Sequence, residues 1–293
     1  MAGFDWYQAT IPDENVNNVL EHLHGLSDRA AMRHSKGAHG YGHTTVIENA
    51  EGPLARVWHG GSHVHPHVVF SGETTQAGVE LIRVAYPVHA VTRVDTREDF
   101  GGADTFDTVL PHLLDVAKGF RVQVGTAGDH LLTKQGRTVY LGAKSSAVRL
   151  RMYDKAAELR SKYAADPVRL SQVPEHLTRF EAQVRPGNHM ARQLFAKAEP
   201  LAIMGSSPWL REVWRRVVGS EVEPVQVGTL WRQSDDDRAY SYLLSQYGGL
   251  LKRLCIDAGS WDLVGRQIGD DLKNRFRHTR PVDKAHGFPE GFP

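Results

Sequence analysis

The chain has 293 residues, of which 41% are hydrophobic and 24% charged, as in an ordinary globular protein. Its formal net charge of +1 means that no global basic excess argues for nucleic-acid binding. A single cysteine, Cys255, excludes an internal disulfide and a thiolate zinc site and is typical of a reducing compartment. The chain contains no apolar run of about eighteen residues and no signal-peptide pattern, so the sequence predicts a cytoplasmic protein without a membrane anchor.

Short strand-like runs alternate with helical ones along the first 120 residues. Alternating and β-branched runs predict strands at 4–10, 44–48, 54–59, 67–71 and 88–95. Apolar residues at helical spacing predict helices beginning at 12, 74 and 107, the last two ending at 84 and 118. The stretch 34–43 is rich in Gly and His and is predicted to be a loop.

The rest of the chain continues with strands and ends with helices. Strands are predicted at 121–124, 138–141, 148–153 and 178–185, with a helix at 155–163. Longer helices are predicted at 201–218, 236–258 and 261–276, followed by a loose Gly- and Pro-rich tail from 280.

This order of elements predicts an α+β protein with a mostly antiparallel sheet, flanking helices, two related halves and a C-terminal helical segment. The change in composition near residue 200 predicts a main domain at 1–200, a helical segment at 201–280 and a flexible tail at 281–293.

Positive charge is concentrated between residues 137 and 163, where seven basic residues accompany two acidic ones. The basic residues are Arg137, Lys144, Arg149, Arg151, Lys155, Arg160 and Lys162. Such an excess attracts phosphate groups, although a solvated protein face shows the same pattern.

Three strand-like segments place their polar side chains on one face, because successive side chains of a strand point to opposite sides. In 148–153 the alternation brings Arg149, Arg151 and Tyr153 together. In 93–99 and 179–185 the polar positions are Arg93, Asp95, Arg97, Asp99, Arg179, Glu181, Gln183 and Arg185. If these strands are neighbours, one surface carries a phenol, several carboxylates and several guanidinium groups.

Those groups suit phosphoryl transfer to a tyrosine. Carboxylates bind Mg²⁺ or Mn²⁺ through their oxygen atoms, and the guanidinium group of one arginine can bind two phosphate oxygens at once. A phenol that attacks phosphorus forms a covalent phosphotyrosine intermediate. This intermediate keeps the energy of the broken phosphodiester bond, so that the strand can be rejoined later. The alternative is that half-buried strands simply expose salt-bridged side chains to water.

Several short motifs occur in a definite order along the chain. They are His-Val-Val-Phe-Ser-Gly at 67–72, Thr-Arg-Val-Asp at 92–95 with Asp99, Tyr-Leu-Gly-Ala-Lys-Ser-Ser at 140–146, Arg-Met-Tyr-Asp-Lys at 151–155 with Glu158, and Arg-Phe-Glu at 179–181 with Arg185. Together they resemble the signature of the Rep_trans family of rolling-circle replication initiators, which includes plasmid and phage initiators and relaxases of conjugative elements. The resemblance runs from about residue 4 to 276 and is most specific at 140–185.

The resemblance implies a catalytic nickase domain at 1–200 that cuts one DNA strand and keeps its 5′-phosphate on Tyr153. Arg151 and Lys155 match the basic residues that flank the tyrosine and would contact the scissile phosphate. The acidic positions Asp95, Asp99 and Glu181 match the metal ligands, for Mg²⁺ or Mn²⁺. The other basic residues predicted to contact DNA are Arg149, Lys144, Arg179 and Arg185.

The implied partner is DNA with a single-stranded or cruciform origin of replication or transfer. A host helicase and a second copy of the chain, as a homodimer, are further implied partners. The implied setting is the cytoplasm of a bacterium, with the gene on a plasmid, phage or conjugative element.

Three alternatives stay open at this point. Tyr140 is the nearest rival to Tyr153, although it is interpreted here as a packing or DNA-stacking residue. The chain could be a non-catalytic, origin-binding DNA protein of the same fold. It could also be a metal enzyme that uses His63, His65 and His67, since alternate histidines on a strand share a face, but the intervening Pro66 interrupts strand pairing.

Overall fold

The computed structural model describes residues 2–228 and 235–277. The chain divides into two compact units, the first ending at Trp231 and the second beginning at Arg232. The boundary predicted near residue 200 is therefore not where the contacts divide. The physical reason is that Leu210, Val213 and Trp214 are buried in the hydrophobic core of the first unit.

The first unit is built on one sheet of ten strands, in which every neighbouring pair is antiparallel. The strands are β1 (Gly3–Thr10), β2 (Ala31–Lys36), β3 (His43–Asn49), β4 (Gly52–His59), β5 (His67–Ser71), β6 (Ala90–Gly101), β7 (Val124–Ala127), β8 (Thr138–Leu141), β9 (Val148–Asp154) and β10 (Leu177–Val184). Their spatial order is β2-β3-β4-β5-β1-β6-β10-β9-β8-β7. The prediction of an α+β protein with an antiparallel sheet is confirmed.

Helices accompany the sheet in the first unit and form the second. Those of the first unit are α1 (Val16–His24), α2 (Thr75–Ala85), α3 (Thr105–Phe120), α4 (Lys155–Lys162), α5 (Pro167–Ser171), α6 (His189–Lys197), α7 (Pro200–Ile203) and α8 (Pro208–Val218). The second unit contains α9 (Asp235–Ala258) and α10 (Trp261–Arg277), which contact each other and confirm the C-terminal helical segment. In the described part of the chain, no helix has both the length and the apolar character needed to cross a lipid bilayer.

The two halves of the sheet follow the same path. The first runs β1, α1, β2, β3, β4, β5, α2, and the second runs β6, α3, β7, β8, β9, β10, α6, with α4 and α5 inserted before β10. In each half the first strand pairs with the last, and β1 pairs with β6 where the halves meet. The prediction of two related halves is confirmed at the level of topology.

One face of the sheet carries the hydrophobic core and the other carries most of its polar side chains. Phe180, Ala182 and Val184 of β10 lie in the core with residues of α2, α3 and α6, whereas the intervening Arg179, Glu181 and Gln183 point the other way. We call this second side the polar face.

Some predicted element boundaries were wrong. Part of the predicted loop at 34–43 belongs to β2, an edge strand whose six side chains are all exposed and therefore show no apolar alternation. The predicted helix 201–218 is two helices, because the Ser207 side chain caps a new helix that starts at Pro208. The predicted strand at 121–124 begins only at Val124, and α5 and α6 were not predicted. The tail predicted from 280 lies outside the described residues.

Candidate active site

The three segments whose polar faces the alternation predicts lie side by side, since β10 pairs with both β6 and β9. Directly paired residues of antiparallel strands share a face, so the side chains form rows across the polar face. The rows are Thr138, Tyr153, Arg179 and Asp99; Tyr140, Arg151, Glu181 and Arg97; and Arg149, Gln183, Asp95 and Trp6. Tyr153 is thus a direct neighbour of Arg179 and a diagonal neighbour of Glu181.

Tyr153 lies under basic side chains at the edge of an open cleft. Its side chain is 6% exposed, is not part of the hydrophobic core, and lines a cleft of about 840 Å³. The Arg151 guanidinium lies 4.2 Å from the centre of the Tyr153 ring, and the Lys155 ammonium lies 5.7 Å from it. Burial, and then the charge of Glu181, raise the pKa of Tyr153, although Arg151 opposes this. The phenol is therefore protonated near neutral pH.

Glu158 is a carboxylate that lines the same cleft. Its position is set by α4, which begins after Tyr153 because the Asp154 carboxylate caps the helix. Burial acts to raise the pKa of Glu158, but a hydrogen bond from Lys155 at 2.8 Å, the charge of Lys155 and the nearby Tyr153 side chain outweigh it. The pKa is lowered overall, so Glu158 is an ionised carboxylate in the same cleft as the phenol. Sequence reasoning included Glu158 in a motif but gave it no role.

Each predicted metal ligand is paired with an arginine. Arg93 donates to both carboxylate oxygens of Asp95, and Arg151 donates to Glu181. Asp99 accepts two hydrogen bonds from Arg179, at 2.6 and 2.7 Å.

Each of the three carboxylates is thus already bound to a cationic side chain. Across residues 2–228 and 235–277, no group of three His, Cys, Asp or Glu side chains is placed to hold a metal ion together. As arranged, Asp95, Asp99 and Glu181 do not form a common metal site, and the Mg²⁺ or Mn²⁺ requirement stays a prediction.

Burial affects these carboxylates differently. Asp95 is 1% exposed, and burial raises its pKa against the opposing hydrogen bond from Arg93. Burial also raises the pKa of Glu181 against the charge of Arg151. For Asp99 the upward effect of burial is outweighed by Arg179, so its pKa is lowered. The arginines are what keep this half of the polar face stable, because an unpaired buried charge is costly.

Asp5 belongs to the same network, and sequence reasoning missed it. Arg179 donates to Asp5 at 2.9 Å, and the Arg97 Nε lies 3.6 Å from the same oxygen. Simple alternation puts Asp5 on the opposite side from Phe4 and Trp6. A β-bulge between those two residues changes this, and no pattern in the sequence signals it.

The residues predicted to contact DNA differ in whether other side chains already bind their charged groups. Arg179 is 7% exposed and bound by carboxylates, so its guanidinium is committed within the sheet. Arg185 is half-buried, and its pKa is lowered by burial and then by the nearby charges of Arg93 and Arg149. We call Arg93, Arg149 and Arg185 the arginine cluster, of which Arg93 is already paired with Asp95. A phosphate would relieve its mutual repulsion.

Lys144 and Tyr140 lie beside this cluster. Lys144 is exposed in the turn between β8 and β9, and its carbonyl accepts a hydrogen bond from Arg185 at 3.1 Å. The Arg149 guanidinium lies 4.0 Å from the centre of the Tyr140 ring, so Tyr140 packs under an arginine as Tyr153 does. Gly142, at φ +92°, makes the adjoining turn, where a Cβ would lie 2.8 Å from the Val148 carbonyl oxygen.

The histidines predicted as an alternative metal site do not converge. His63 Nε2 donates to the His39 carbonyl at 3.0 Å, and His65 Nδ1 accepts from the Asp13 backbone N–H at 3.1 Å. His67 Nδ1 forms a hydrogen bond with the Thr10 hydroxyl at 3.1 Å. The three rings are thus committed to different partners, which does not favour a shared metal.

One solved structure resembles this chain across most of its length. It is a rolling circle replication initiator protein from Geobacillus stearothermophilus, with a TM-score of 0.50 and 18% sequence identity. The similarity covers 78% of this chain and 99% of the other. No protein-family profile matches the sequence, and no curated protein matches it in a sequence search. At this identity the likeness shows that the two chains share a fold.

Proposed function

We propose that this protein is a site-specific DNA nickase and strand transferase that starts rolling-circle replication or conjugative transfer. The observation that carries the proposal is the placement of the Tyr153 ring beside Arg151 and Lys155, in a cleft that the Glu158 carboxylate also lines. The fold shared with a replication initiator supports it, as do the ordered motifs around the tyrosine.

In this mechanism the Tyr153 oxygen attacks the phosphorus of the scissile phosphodiester. The new O–P bond forms as the bond from phosphorus to the 3′-oxygen breaks, which leaves a 5′-phosphotyrosine and a free 3′-hydroxyl. Glu158 accepts the phenolic proton, and the departing 3′-oxygen takes a proton from water. The reverse attack by a 3′-hydroxyl rejoins the strand.

The basic side chains stabilise the charge that develops on the phosphate oxygens. Arg151 and Lys155 lie over the Tyr153 ring, and the arginine cluster would hold a neighbouring phosphate. The predicted cation has no step in this scheme. Its ligands Asp95, Asp99 and Glu181 would first have to exchange their arginine partners for it.

A non-catalytic, origin-binding protein is the second candidate. The neutralisation of each predicted metal ligand by an arginine favours it, because a binding surface needs no free carboxylates. A helicase partner and a homodimer stay predictions.

Substitution Tyr153→Phe tests the proposal, because it keeps the ring and removes the attacking oxygen. The wild-type protein should nick a supercoiled plasmid that carries the cognate origin and should remain attached to the cut strand. Tyr153→Phe should bind the origin and form no adduct, whereas Tyr140→Phe should form it. Adduct formation by Tyr153→Phe would contradict the assignment. Binding without nicking by the wild-type protein, with Mg²⁺ and with Mn²⁺, would favour the second candidate.

A further inference from the structure

Five aromatic rings from separate stretches of chain meet in the first half of the sheet. Trp58 and His67, paired across β4 and β5, have ring planes 7° apart and centres 5.5 Å apart. Tyr41 stacks on His63 at 4.2 Å and lies 6.2 Å from Trp58. His39 lies 4.9 Å from Trp58 on the same loop as Tyr41. We call these five residues the ring platform.

The platform lies on the polar face. Trp58 follows Arg56 by two residues on β4, so both side chains share a face. Arg56, Val69, Gln8 and Arg93 form one row of direct strand partners, and Arg93 also binds Asp95. The platform and the candidate active site are therefore parts of one continuous surface. Five strand spacings separate β4 from β9, which corresponds to about 24 Å.

The platform is neither core nor a metal site. None of its five residues belongs to the hydrophobic core, and His39 and His63 are exposed. Burial lowers the pKa of His67 to about 4, so that ring is uncharged at neutral pH. The platform therefore offers flat π surfaces, whereas the other half of the polar face offers ions.

Basic groups lie on the same face as the rings. Arg56 is exposed on the same face of β4. Arg93 lies 4.7 Å from the centre of the Trp6 ring, between the platform and Tyr153. Rings interleaved with arginines are the arrangement that binds single-stranded nucleic acid, because bases stack on the rings while phosphates meet the cations.

We propose that the ring platform stacks unpaired bases of the DNA strand that leads to Tyr153. This inference rests on the proposed function, because it takes DNA as the substrate. Stacking on π faces is tolerant of sequence and needs bases that are not paired. The platform therefore holds single-stranded DNA of any sequence.

The test measures binding in the Tyr153→Phe background, where no cleavage occurs. The probe is a fluorescein-labelled oligothymidylate of about twenty nucleotides, followed by anisotropy at low salt. Tyr41→Leu and His63→Ala should each weaken binding about tenfold, because each removes one stacking surface. Tyr41→Phe should bind as tightly as the parent. A duplex of the same length should bind all variants equally.

Phe120→Leu is the matched control, since Phe120 is a 47% exposed aromatic residue on α3, an element that contributes to the core. It should leave oligothymidylate binding unchanged. Equal binding by folded Tyr41→Leu, His63→Ala and their parent would overturn the platform. An equal loss with Phe120→Leu would do the same.

Plasmid nicking by the wild-type protein is scored separately. If oligothymidylate binding depends on the rings but the wild-type protein does not nick the plasmid, the proposed function is contradicted and the platform is supported. If the protein nicks the plasmid but oligothymidylate binding does not depend on the rings, only the platform is contradicted.

Discussion

The two halves of the sheet follow the same path but present different chemistry on the polar face. In the second half, rows of arginines and carboxylates surround Tyr153. In the first half, the corresponding surface carries stacked rings, and His67 among them is held uncharged. A repeated topology therefore determines where strands lie, whereas the side chains that alternate onto one face determine what each half can bind.

The difference has an energetic consequence. Buried carboxylates such as Asp95 are tolerated only because a guanidinium partner offsets the loss of hydration. Uncharged rings need no such partner. We therefore expect loss of one ionic group to disturb the second half strongly, and loss of one ring to disturb the first half mildly.

The largest expected effect concerns Glu158 in the second half. Glu158→Gln removes the proton acceptor and should lower the nicking rate by about a hundredfold to ten-thousandfold. The wild-type rate should be flat above about pH 6, because the lowered pKa keeps the carboxylate ionised. The variant rate should rise about tenfold per pH unit, since hydroxide must then remove the proton.

Single-turnover cleavage at a series of pH values checks this expectation. Glu175→Gln, an exposed residue outside the cleft, is the control and should behave as the wild type. An unchanged pH profile for Glu158→Gln would remove Glu158 from the mechanism.

The next effect is on stability and compares one arginine from each half. Arg179→Met leaves Asp99 and Asp5 without their buried partner and should lower the free energy of unfolding by about 3 kcal/mol. Arg56→Met, on the exposed part of the first half, should change it by less than about 0.5 kcal/mol. Urea denaturation of both variants measures the contrast, and equal losses would refute the ionic account of the second half.

The smallest effect is a pH dependence in the first half. The pKa of His67 is about 4 in the folded chain and about 6.5 when unfolded, so the unfolded state binds more protons between these values. Uncharged His67 makes its full contribution to the free energy of unfolding above about pH 6.5. This contribution falls as the pH drops, by about 2 kcal/mol between about pH 7 and pH 5. Denaturation of His67→Gln should show that part of the pH dependence removed. A full pH dependence in this variant would assign it to other groups.

Much of the candidate site was predictable from local pattern. Strands β8, β9 and β10 alternate polar and apolar residues, so the shared face of Arg149, Arg151 and Tyr153 is readable from the sequence. The edge strand β2 was missed because all its side chains are exposed and no alternation appears.

Other features depend on contacts between distant segments. The pairing of Asp5 with Arg179 depends on a bulge in β1 opposite β6. The position of Glu158, the proposed proton acceptor, depends on how α4 leaves the sheet. The ring platform joins rings from two loops, from β4 and from the start of β5, which no spacing along the chain relates.

The sequence by itself determined most of the strands and, where no bulge intervenes, which side of each is polar, because side-chain alternation is a local property of extended backbone. Only the tertiary structure decided which strands are neighbours, and hence which arginine neutralises which carboxylate. Pairing across the sheet joins residues as far apart as Asp5 and Arg179, and its energy comes from burial and ionic contacts that exist only once the chain has folded.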